Sequence, residues 1–248
     1  MSSPPEFQQV AQSEQARIVN PQASTLVGVD SHLPAILAEH LNIESIASAL
    51  KLAHNIAPAT RGDGHKFSGA SLRSAAVLVG LVDRNSGLHM VLTERASHLR
   101  KHAGQIAFPG GAIDATDASA WAAAQREAME EIGTPSHALS YLGQLPTYTT
   151  VTAFEVVPCV ASLDSAHAYQ PAPAEVAAVF ELALVRLMNP ASHQRRTIGT
   201  PVGERTFYAI PTEDTQGIAR FVWGATAGMI RNLYTVLHAY QLEKSSSQ

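Results

Sequence analysis

The chain has 248 residues, of which 46% are hydrophobic and 15% are charged, and its formal net charge is -4 at pH 7. These values are typical of a globular protein with one large domain, or with one domain and an appendage. A mildly acidic chain has no overall basic field that would hold nucleic acid, so we expect no nucleic-acid partner. A polyanionic small molecule would need a local basic patch or metal ions.

Cysteine usage and the apolar segments indicate the compartment. Cys159 is the single cysteine, and one thiol cannot build a disulfide framework, which favours a reducing environment. The first residues lack the charged-then-apolar layout of a secretory signal. The longest apolar runs, such as 75–79, are too short to cross a bilayer. We therefore expect a cytoplasmic protein with no membrane partner.

The N-terminal part, residues 1–66, is predicted to be a partly disordered extension. Its start is rich in Ser, Pro and Gln, whereas residues 33–53 have apolar residues spaced by three and four, which predicts one or two short helices. The main domain is predicted to span residues 67–242. Residues 243–248 are predicted to be a disordered tail.

Strand-like runs surround an alanine-rich helix in the main domain. The helix is predicted at about 118–132, with Asp117 as its N-cap and Gly133 as its stop, and a last helix at about 225–241. Strands are predicted at 74–83, 88–95, 105–108, 139–145, 154–163, 176–182, 206–210 and 220–223. Because strands precede and follow the helix, the pattern favours an α+β fold with a mixed sheet covered by helices.

Three glutamates of the alanine-rich helix share one face. Glu127, Glu130 and Glu131 have the spacing i, i+3 and i+4, so they converge on one side. Like charges this close repel unless a cation neutralises them, and Mg²⁺ is commonly held by a few carboxylates together with substrate phosphate. Solvated glutamate-rich helix faces are also common, and the three residues alone leave that alternative open.

The surroundings of the glutamates favour a binding site. Gly110 and Gly111 precede the helix and suit a turn where the backbone approaches a ligand closely. Arg126 can orient a neighbouring carboxylate or contact phosphate. The opposite helix face can pack on a sheet and hold the helix still, and it carries Trp121, Ala124, Ala128 and Ile132.

The segment GGAIDATDASAWAAAQREAMEEIG, residues 110–133, resembles the Nudix box. The fixed positions of that motif correspond to Gly111, Arg126, Glu127, Glu130, Glu131 and Gly133. The sequence departs from it where Asp117 replaces the expected mid-box glutamate and lies one position out of register. Ala128 and Thr134 stand where larger aliphatic residues are usual. The resemblance implies a Nudix-type α/β/α sandwich and a metal-dependent hydrolase of diphosphate linkages, with Mg²⁺ or Mn²⁺ held by Glu127, Glu130 and Glu131.

A second segment, VLTERASHLRKHAGQIAFPGG at residues 91–111, resembles the signature of the coenzyme A diphosphatase branch of that family. It contains a basic cluster in an otherwise acidic chain. Arg95, Arg100 and Lys101, together with Gly110 and Gly111, are therefore predicted to bind the substrate phosphates. By resemblance, coenzyme A is hydrolysed to 3′,5′-ADP and 4′-phosphopantetheine. A solvated basic loop is the alternative for the cluster read without the motif.

Glu175 and Cys159 lie outside the two motifs. Glu175 precedes a predicted strand, and Nudix enzymes often draw a further glutamate from outside the box as metal ligand or base, so Glu175 is a catalytic candidate beside a plain strand-edge acid. Glu127 is the other candidate base, with Arg126 in the catalytic set. Cys159 lies between apolar neighbours and is predicted to be a core thiol.

Rival functions remain open from the sequence. They are hydrolysis of another nucleoside diphosphate derivative, such as ADP-ribose or a dinucleotide, and a non-catalytic nucleotide-binding regulator with the same fold. The N-terminal segment could also dock a partner, and a homodimer is the oligomeric state considered.

Overall fold

The computed structural model describes residues 18, 20–62, 72–99, 103–201 and 203–246. The helices are α1 (Ile43–Leu52), α2 (Ala120–Ile132), α3 (Leu184–Leu187) and α4 (Gly224–Ser246). The strands are β1 (Thr25–Val29), β2 (Arg73–Arg84), β3 (Gly87–Arg95), β4 (Ile106–Ala107), β5 (Gly110–Ala112), β6 (Leu139–Gln144), β7 (Tyr148–Thr149), β8 (Phe154–Leu163), β9 (Val176–Ala183), β10 (Gln194–Thr200), β11 (Gly203–Glu213) and β12 (Ala219–Trp223). Short 3-10 turns lie at Pro21–Ala23, Ala38–His40, Ala53–Asn55, Ser136–Ala138 and Pro190–Ser192.

The larger sheet has eight strands and is mixed, as the sequence predicts. Its main path runs β4-β3-β2-β8-β6, with β5 paired to β2, β7 to β8 and β9 to β3. Only the β2–β8 pair is parallel among the pairs described in this sheet, and the others are antiparallel. Alternate side chains of β2 point to opposite faces, so both faces are apolar and both need a covering layer.

Helices cover the two faces of this sheet. Leu78 and Val82 pack with the alanines of α2 in one core, whereas Val79 and Leu81 belong to the other core, with α1 and α4. Layers of helix, sheet and helix result, which confirms the α+β fold with a Nudix-type α/β/α arrangement. Cys159 is fully buried in the α2 core, and burial raises the pKa of its thiol to about 11, so it is a core thiol as predicted.

A second, four-stranded antiparallel sheet has the order β1-β10-β11-β12. The sequence predicted β11 and β12 but not β1 or β10, because β10 carries two arginines and no clear alternation of apolar residues. Strands β5 and β7 were also missed, since two or three residues are too few to show a period. The second sheet packs against α4. It also contacts the larger sheet, where β12 meets β4.

The two ends of the chain differ from the prediction. Strand β1 and helix α1 lie within the predicted extension, yet β1 pairs with β10 and α1 packs on α4. The predicted boundary near residue 66 falls among residues outside the described part. Helix α4 continues to Ser246, so the prediction of a disordered tail is wrong for residues 243–246. Tyr240 anchors the last turns of the helix in the core.

Local sequence signals determine where α2 begins and ends. Ser119 caps the helix, and its hydroxyl accepts a hydrogen bond from the Ala122 N–H at 3.1 Å, so the prediction of Asp117 as the N-cap is wrong. Gly133 ends the helix in the left-handed region with φ 66°, as predicted. Among the described residues, the longest helix is still too polar to cross a membrane.

Candidate active site

Strand β5 and helix α2 bring the predicted site residues together. The β5 residues pair with β2 in the order Ala75–Ala112, Ala76–Gly111 and Val77–Gly110, which puts the glycine pair on the sheet edge beneath α2. A Cβ on Gly110 would collide with the backbone of Ala76 and Val77. A Cβ on Gly111 would lie 2.5 Å from Oε1 of Glu127, so this carboxylate rests directly against the glycine backbone.

Glu131 is the most buried acid of the site. Its side chain is 4% exposed, its Oε2 accepts a hydrogen bond from the Gly110 N–H at 3.3 Å, and its Oε1 lies 3.8 Å from Nη1 of Arg95. Burial raises the pKa of Glu131 to about 7, although the Gly110 N–H and the Arg95 charge act in the opposite direction. An ionised Glu131 therefore lacks sufficient compensation from the protein alone.

Arg126 forms hydrogen bonds to Asp117, which precedes α2, and to two glutamates of α2. Its guanidinium donates to Asp117 through Nε at 3.2 Å and through Nη2 at 3.0 Å, and to the Ala112 carbonyl at 3.0 Å. Its Nη1 donates to Glu127 at 2.9 Å and to Glu130 at 3.1 Å. The hydrogen bond from Arg126 lowers the pKa of Asp117, and this pair in turn raises the pKa of Arg126.

The role of Asp117 is thus visible only in three dimensions. It is out of register with the expected mid-box glutamate, but it orients Arg126 by a two-point contact and also accepts from the Asp114 N–H at 2.8 Å. Arg126 in turn orients Glu127. Burial raises the pKa of Glu127, and the hydrogen bond from Arg126 partly opposes this effect.

Glu130 stands apart from the other two glutamates. Its side chain is 58% exposed and its described polar contact is with Arg126. Within the described residues, no three His, Cys, Asp or Glu side chains are arranged as a ready-made metal site. Arg126 occupies one oxygen each of Glu127 and Glu130.

The residues nevertheless fit a hard divalent cation at Glu127 and Glu131. Both carboxylates have pKa values raised by burial, and both therefore gain from a nearby positive charge. Their oxygens are the donor type that Mg²⁺ and Mn²⁺ accept. The one-turn spacing of Glu127 and Glu131 on a helix packed on β2 provides a rigid mount.

Glu175 is close enough to this pair for its charge to act on both carboxylates. The segment before β9 runs along the end of α2, where the Gln170 and Ala172 N–H groups donate to the carbonyls of Ile132 and Glu131. Glu175 is exposed, and its charge contributes, as the smallest cause, to the raised pKa of both Glu127 and Glu131. Its role as ligand or base stays a prediction.

The predicted phosphate-binding residues are only partly placed. Arg95 ends β3 and lies between Glu131 and the loop before β4, where its N–H donates to the Gln105 carbonyl at 3.0 Å. Its buried Nε has no hydrogen-bond partner among the residues that the structure describes. Arg100 and Lys101 lie outside the described residues.

One ion network near the site was not found from the sequence. Arg220 of β12 donates to Glu94 at 2.7 Å, and Glu94 directly precedes Arg95. Arg220 also contacts Asp214 at 2.8 Å. Residues 94 and 220 belong to different sheets, and no spacing rule connects them, so the sequence carried no signal for this contact.

Comparison with known proteins agrees with this geometry. Residues 72–197 match the model of the NUDIX domain family. The chain is 43% identical over 166 residues to a protein of Enterobacter sp. (strain 638) called uncharacterized Nudix hydrolase NudL, covering 65% of this chain and 81% of the relative. The protein of the same name from Escherichia coli (strain K12) is 43% identical over 162 residues, with the same coverage.

A solved structure with a similar description is RenU, a Nudix hydrolase from M. smegmatis. It has a TM-score of 0.41 and 20% sequence identity, and the match covers 48% of this chain and 75% of that chain. The family match and the NudL relatives carry the assignment. This chain belongs to the Nudix family, and it is a hydrolase that acts on pyrophosphate bonds.

Proposed function

We propose that the protein hydrolyses the diphosphate linkage of coenzyme A or its derivatives, yielding 3′,5′-ADP and 4′-phosphopantetheine. One observation carries the proposal: Arg95, from the segment that resembles the coenzyme A signature, lies 3.8 Å from Glu131 of the Nudix box. This contact supports the proposal that the two motifs contribute to one site. A phosphate-binding arginine beside the acids is the arrangement that a diphosphate substrate requires.

Hydrolases of this family use divalent metal ions, and Glu127, Glu130 and Glu131 are proposed to hold Mg²⁺ or Mn²⁺. The cation would offset phosphate charge and favour the ionised form of a bound water. The Glu130 side chain is 58% exposed, whereas burial raises the pKa values of Glu127 and Glu131, so Glu127 and Glu131 are the stronger two of the three. Glu175 and Glu127 are the candidates to orient or deprotonate the attacking water.

Arg126, Gly110 and Gly111 have supporting parts in this proposal. Arg126 holds Glu127 in place. The glycine pair lets the backbone approach the Glu127 carboxylate closely, and its N–H groups are proposed to contact the substrate phosphates. Arg95, with Arg100 and Lys101 from the adjoining segment, is proposed to bind the phosphates.

The test is a substrate panel with product identification by mass spectrometry. Purified protein with Mg²⁺ or Mn²⁺ is incubated with coenzyme A, acetyl-coenzyme A, ADP-ribose and a dinucleoside polyphosphate. We expect cleavage of the coenzyme A forms at the diphosphate, and none after removal of metal with EDTA. Intact coenzyme A beside cleaved ADP-ribose or dinucleotide would overturn the substrate assignment.

A variant pair tests the acids. Glu131→Gln removes the buried charge while keeping the shape, and we expect kcat to fall at least about tenfold, which corresponds to roughly 1.4 kcal/mol of barrier. Glu204→Gln changes an exposed acid of β11 far along the chain from these elements and serves as control. Full activity of Glu131→Gln would contradict the proposed metal site.

A further inference from the structure

The segment between β8 and β9 passes from the end of α2 to the turn that follows Arg95. The Ala172 N–H donates to the Glu131 carbonyl at 2.9 Å, and the Glu175 N–H donates to the Ala172 carbonyl at 2.9 Å. On the other side, the Ala96 N–H donates to the Glu175 carbonyl at 2.8 Å. The backbone of Glu175 is therefore connected both to the helix that carries the acids and to the segment that carries Arg95.

A β-bulge lies at the point where Glu175 leads into β9. Glu94 of β3 lies opposite Ala178 of β9. The next residue, Arg95, lies opposite Val176, so β9 has one extra residue there. A bulge bends the strand and disrupts the ladder locally, and bulges are frequent beside active sites. Beyond this bulge, individual hydrogen bonds outside the ladder hold the backbone around Glu175.

A side chain supplies one of these hydrogen bonds. Nε2 of His98 lies 3.1 Å from the carbonyl oxygen of Ala174, the residue before Glu175. A carbonyl oxygen can only accept, so Nε2 carries the hydrogen and donates it. His98 lies in a turn in which the Leu99 N–H donates to the Ala96 carbonyl at 3.2 Å. Two successive residues, 174 and 175, are thus bound to the same turn.

The exposure of His98 limits what its side chain can contribute. Because the residue is exposed, its replacement by a smaller one opens no cavity in the core. Its hydrogen bond can still determine the place of Glu175, whose charge acts on both Glu127 and Glu131. A shift of Glu175 would therefore alter the surroundings of these acids without altering the packing of the protein.

We propose that His98 is a positioning residue for Glu175. Its hydrogen bond to the Ala174 carbonyl holds the backbone of Glu175 against the turn that follows Arg95, and this contact sets the distance between the Glu175 carboxylate and the acids of α2. The inference rests on the proposed function, because it takes Glu175 as the ligand or base of the same site. His98 itself touches neither the metal nor the substrate in this role.

A set of variants separates this role from a contribution to folding. His98→Ala removes the hydrogen bond, whereas His98→Gln keeps an N–H donor close to the position of Nε2. His54→Ala, at an exposed histidine in the turn that follows α1, is the matched control. Steady-state kinetics gives kcat and KM for coenzyme A, or for ADP-ribose if the substrate panel shows that only ADP-ribose is cleaved. Urea denaturation gives the unfolding midpoint of each protein.

We expect His98→Ala to lower kcat about three- to tenfold, the range that corresponds to one hydrogen bond of ordinary strength, with KM and the unfolding midpoint unchanged. His98→Gln should recover kcat to within about twofold of wild type. His54→Ala should change none of these quantities. An unchanged kcat of His98→Ala, a change confined to KM, a loss that His98→Gln does not recover, or a loss accompanied by a lower unfolding midpoint would each overturn the assignment.

A double variant connects the effect to Glu175. Glu175→Gln alone is expected to lower kcat more than His98→Ala does, and in that background His98→Ala should have no further effect. If the two losses instead multiply independently, the role of His98 is refuted while that of Glu175 stands. Full activity of Glu175→Gln would remove Glu175 from the proposed mechanism and the inference with it, so the two failures give different results.

Discussion

The fold buries the Glu131 side chain, although its ionised carboxylate would be more stable in water. Its carboxylate is almost fully enclosed, and its described partners are a backbone N–H at 3.3 Å and a guanidinium at 3.8 Å. Those contacts are too weak to offset its desolvation, as its raised pKa of about 7 shows. The folded protein without metal therefore holds a proton on Glu131 more tightly than the unfolded chain does.

This difference predicts a pH-dependent stability. Because the folded-state pKa is above the ordinary value of 4.5 for a glutamate, the contribution of Glu131 is most favourable below about pH 4.5 and is lost as pH rises through 7. In EDTA, Glu131→Gln should be more stable than wild type at pH 8, by up to about 3 kcal/mol, and similar to it at pH 5. Urea denaturation at both pH values measures this difference.

Glu130→Gln is the matched control, since Glu130 lies one position away on the same helix and is mostly exposed. Its change in unfolding free energy should differ little between the two pH values. A Glu131→Gln variant that is destabilised equally at pH 5 and pH 8 would contradict the burial of an uncompensated carboxylate.

At the scale of elements, close contact between α2 and β2 positions the whole acid cluster. Ala123, Ala124 and Ala128 have no exposed surface, and they pack beside Ala76 and Leu78 of β2. Small side chains on both elements bring the helix close to the sheet. This closeness is what allows Glu131 to reach the Gly110 N–H and Glu127 to rest on Gly111.

Enlarging Ala128 tests this closeness. Larger aliphatic residues are usual at this motif position, but here Ala128→Leu should force the helix from the sheet and lower the free energy of unfolding by about 1–3 kcal/mol. Activity should fall with it, since the carboxylates move away from the glycines. Urea denaturation and steady-state kinetics give the two readouts.

Met129→Leu, at an exposed neighbour on the same helix, controls for a general effect of leucine. It should change neither stability nor kcat. Unchanged stability of Ala128→Leu would mean that the helix–sheet interface has room for a larger residue.

At the scale of the whole molecule, a buried ion pair ties the N-terminal segment to the last helix. Asp30, just after β1, accepts from Nε of Arg231 in α4 at 2.8 Å, and both side chains are less than a tenth exposed. Asp30 also donates its N–H to the carbonyl of His193, next to β10. The N-terminal segment is thus part of the packed structure from β1 onward.

Breaking that pair should destabilise the protein strongly. Asp30→Ala leaves the Arg231 charge buried without its partner, with an expected loss of about 3–5 kcal/mol. The double variant Asp30→Ala/Arg231→Met removes both charges and should recover much of the loss. Thermal and urea unfolding of the two variants measure it, and an Asp30→Ala protein as stable as wild type would refute the coupling between the two ends of the chain.

The sequence was sufficient for the features that depend on short-range order. Glycine at 133 stops α2 because a left-handed residue is needed there, and the i, i+3, i+4 spacing puts three glutamates on one face. The alternation and length of apolar runs located most strands of the larger sheet. The motif residues predicted the Nudix family and its hydrolase activity, which the family match and the relatives confirm.

Long-range packing decided the rest. Glu131 is buried and Glu130 is exposed, and this difference in burial depends on how closely α2 approaches the sheet. Asp117 acts through Arg126 although its motif position is shifted, because the helix start turns both side chains toward each other. The contact of Glu94 with Arg220 joins strands far apart in the chain, and such a contact becomes specified only when the two sheets pack. The sequence by itself determined the chemistry that the site can offer, and the tertiary structure decided which side chains are desolvated and therefore which of them can carry it.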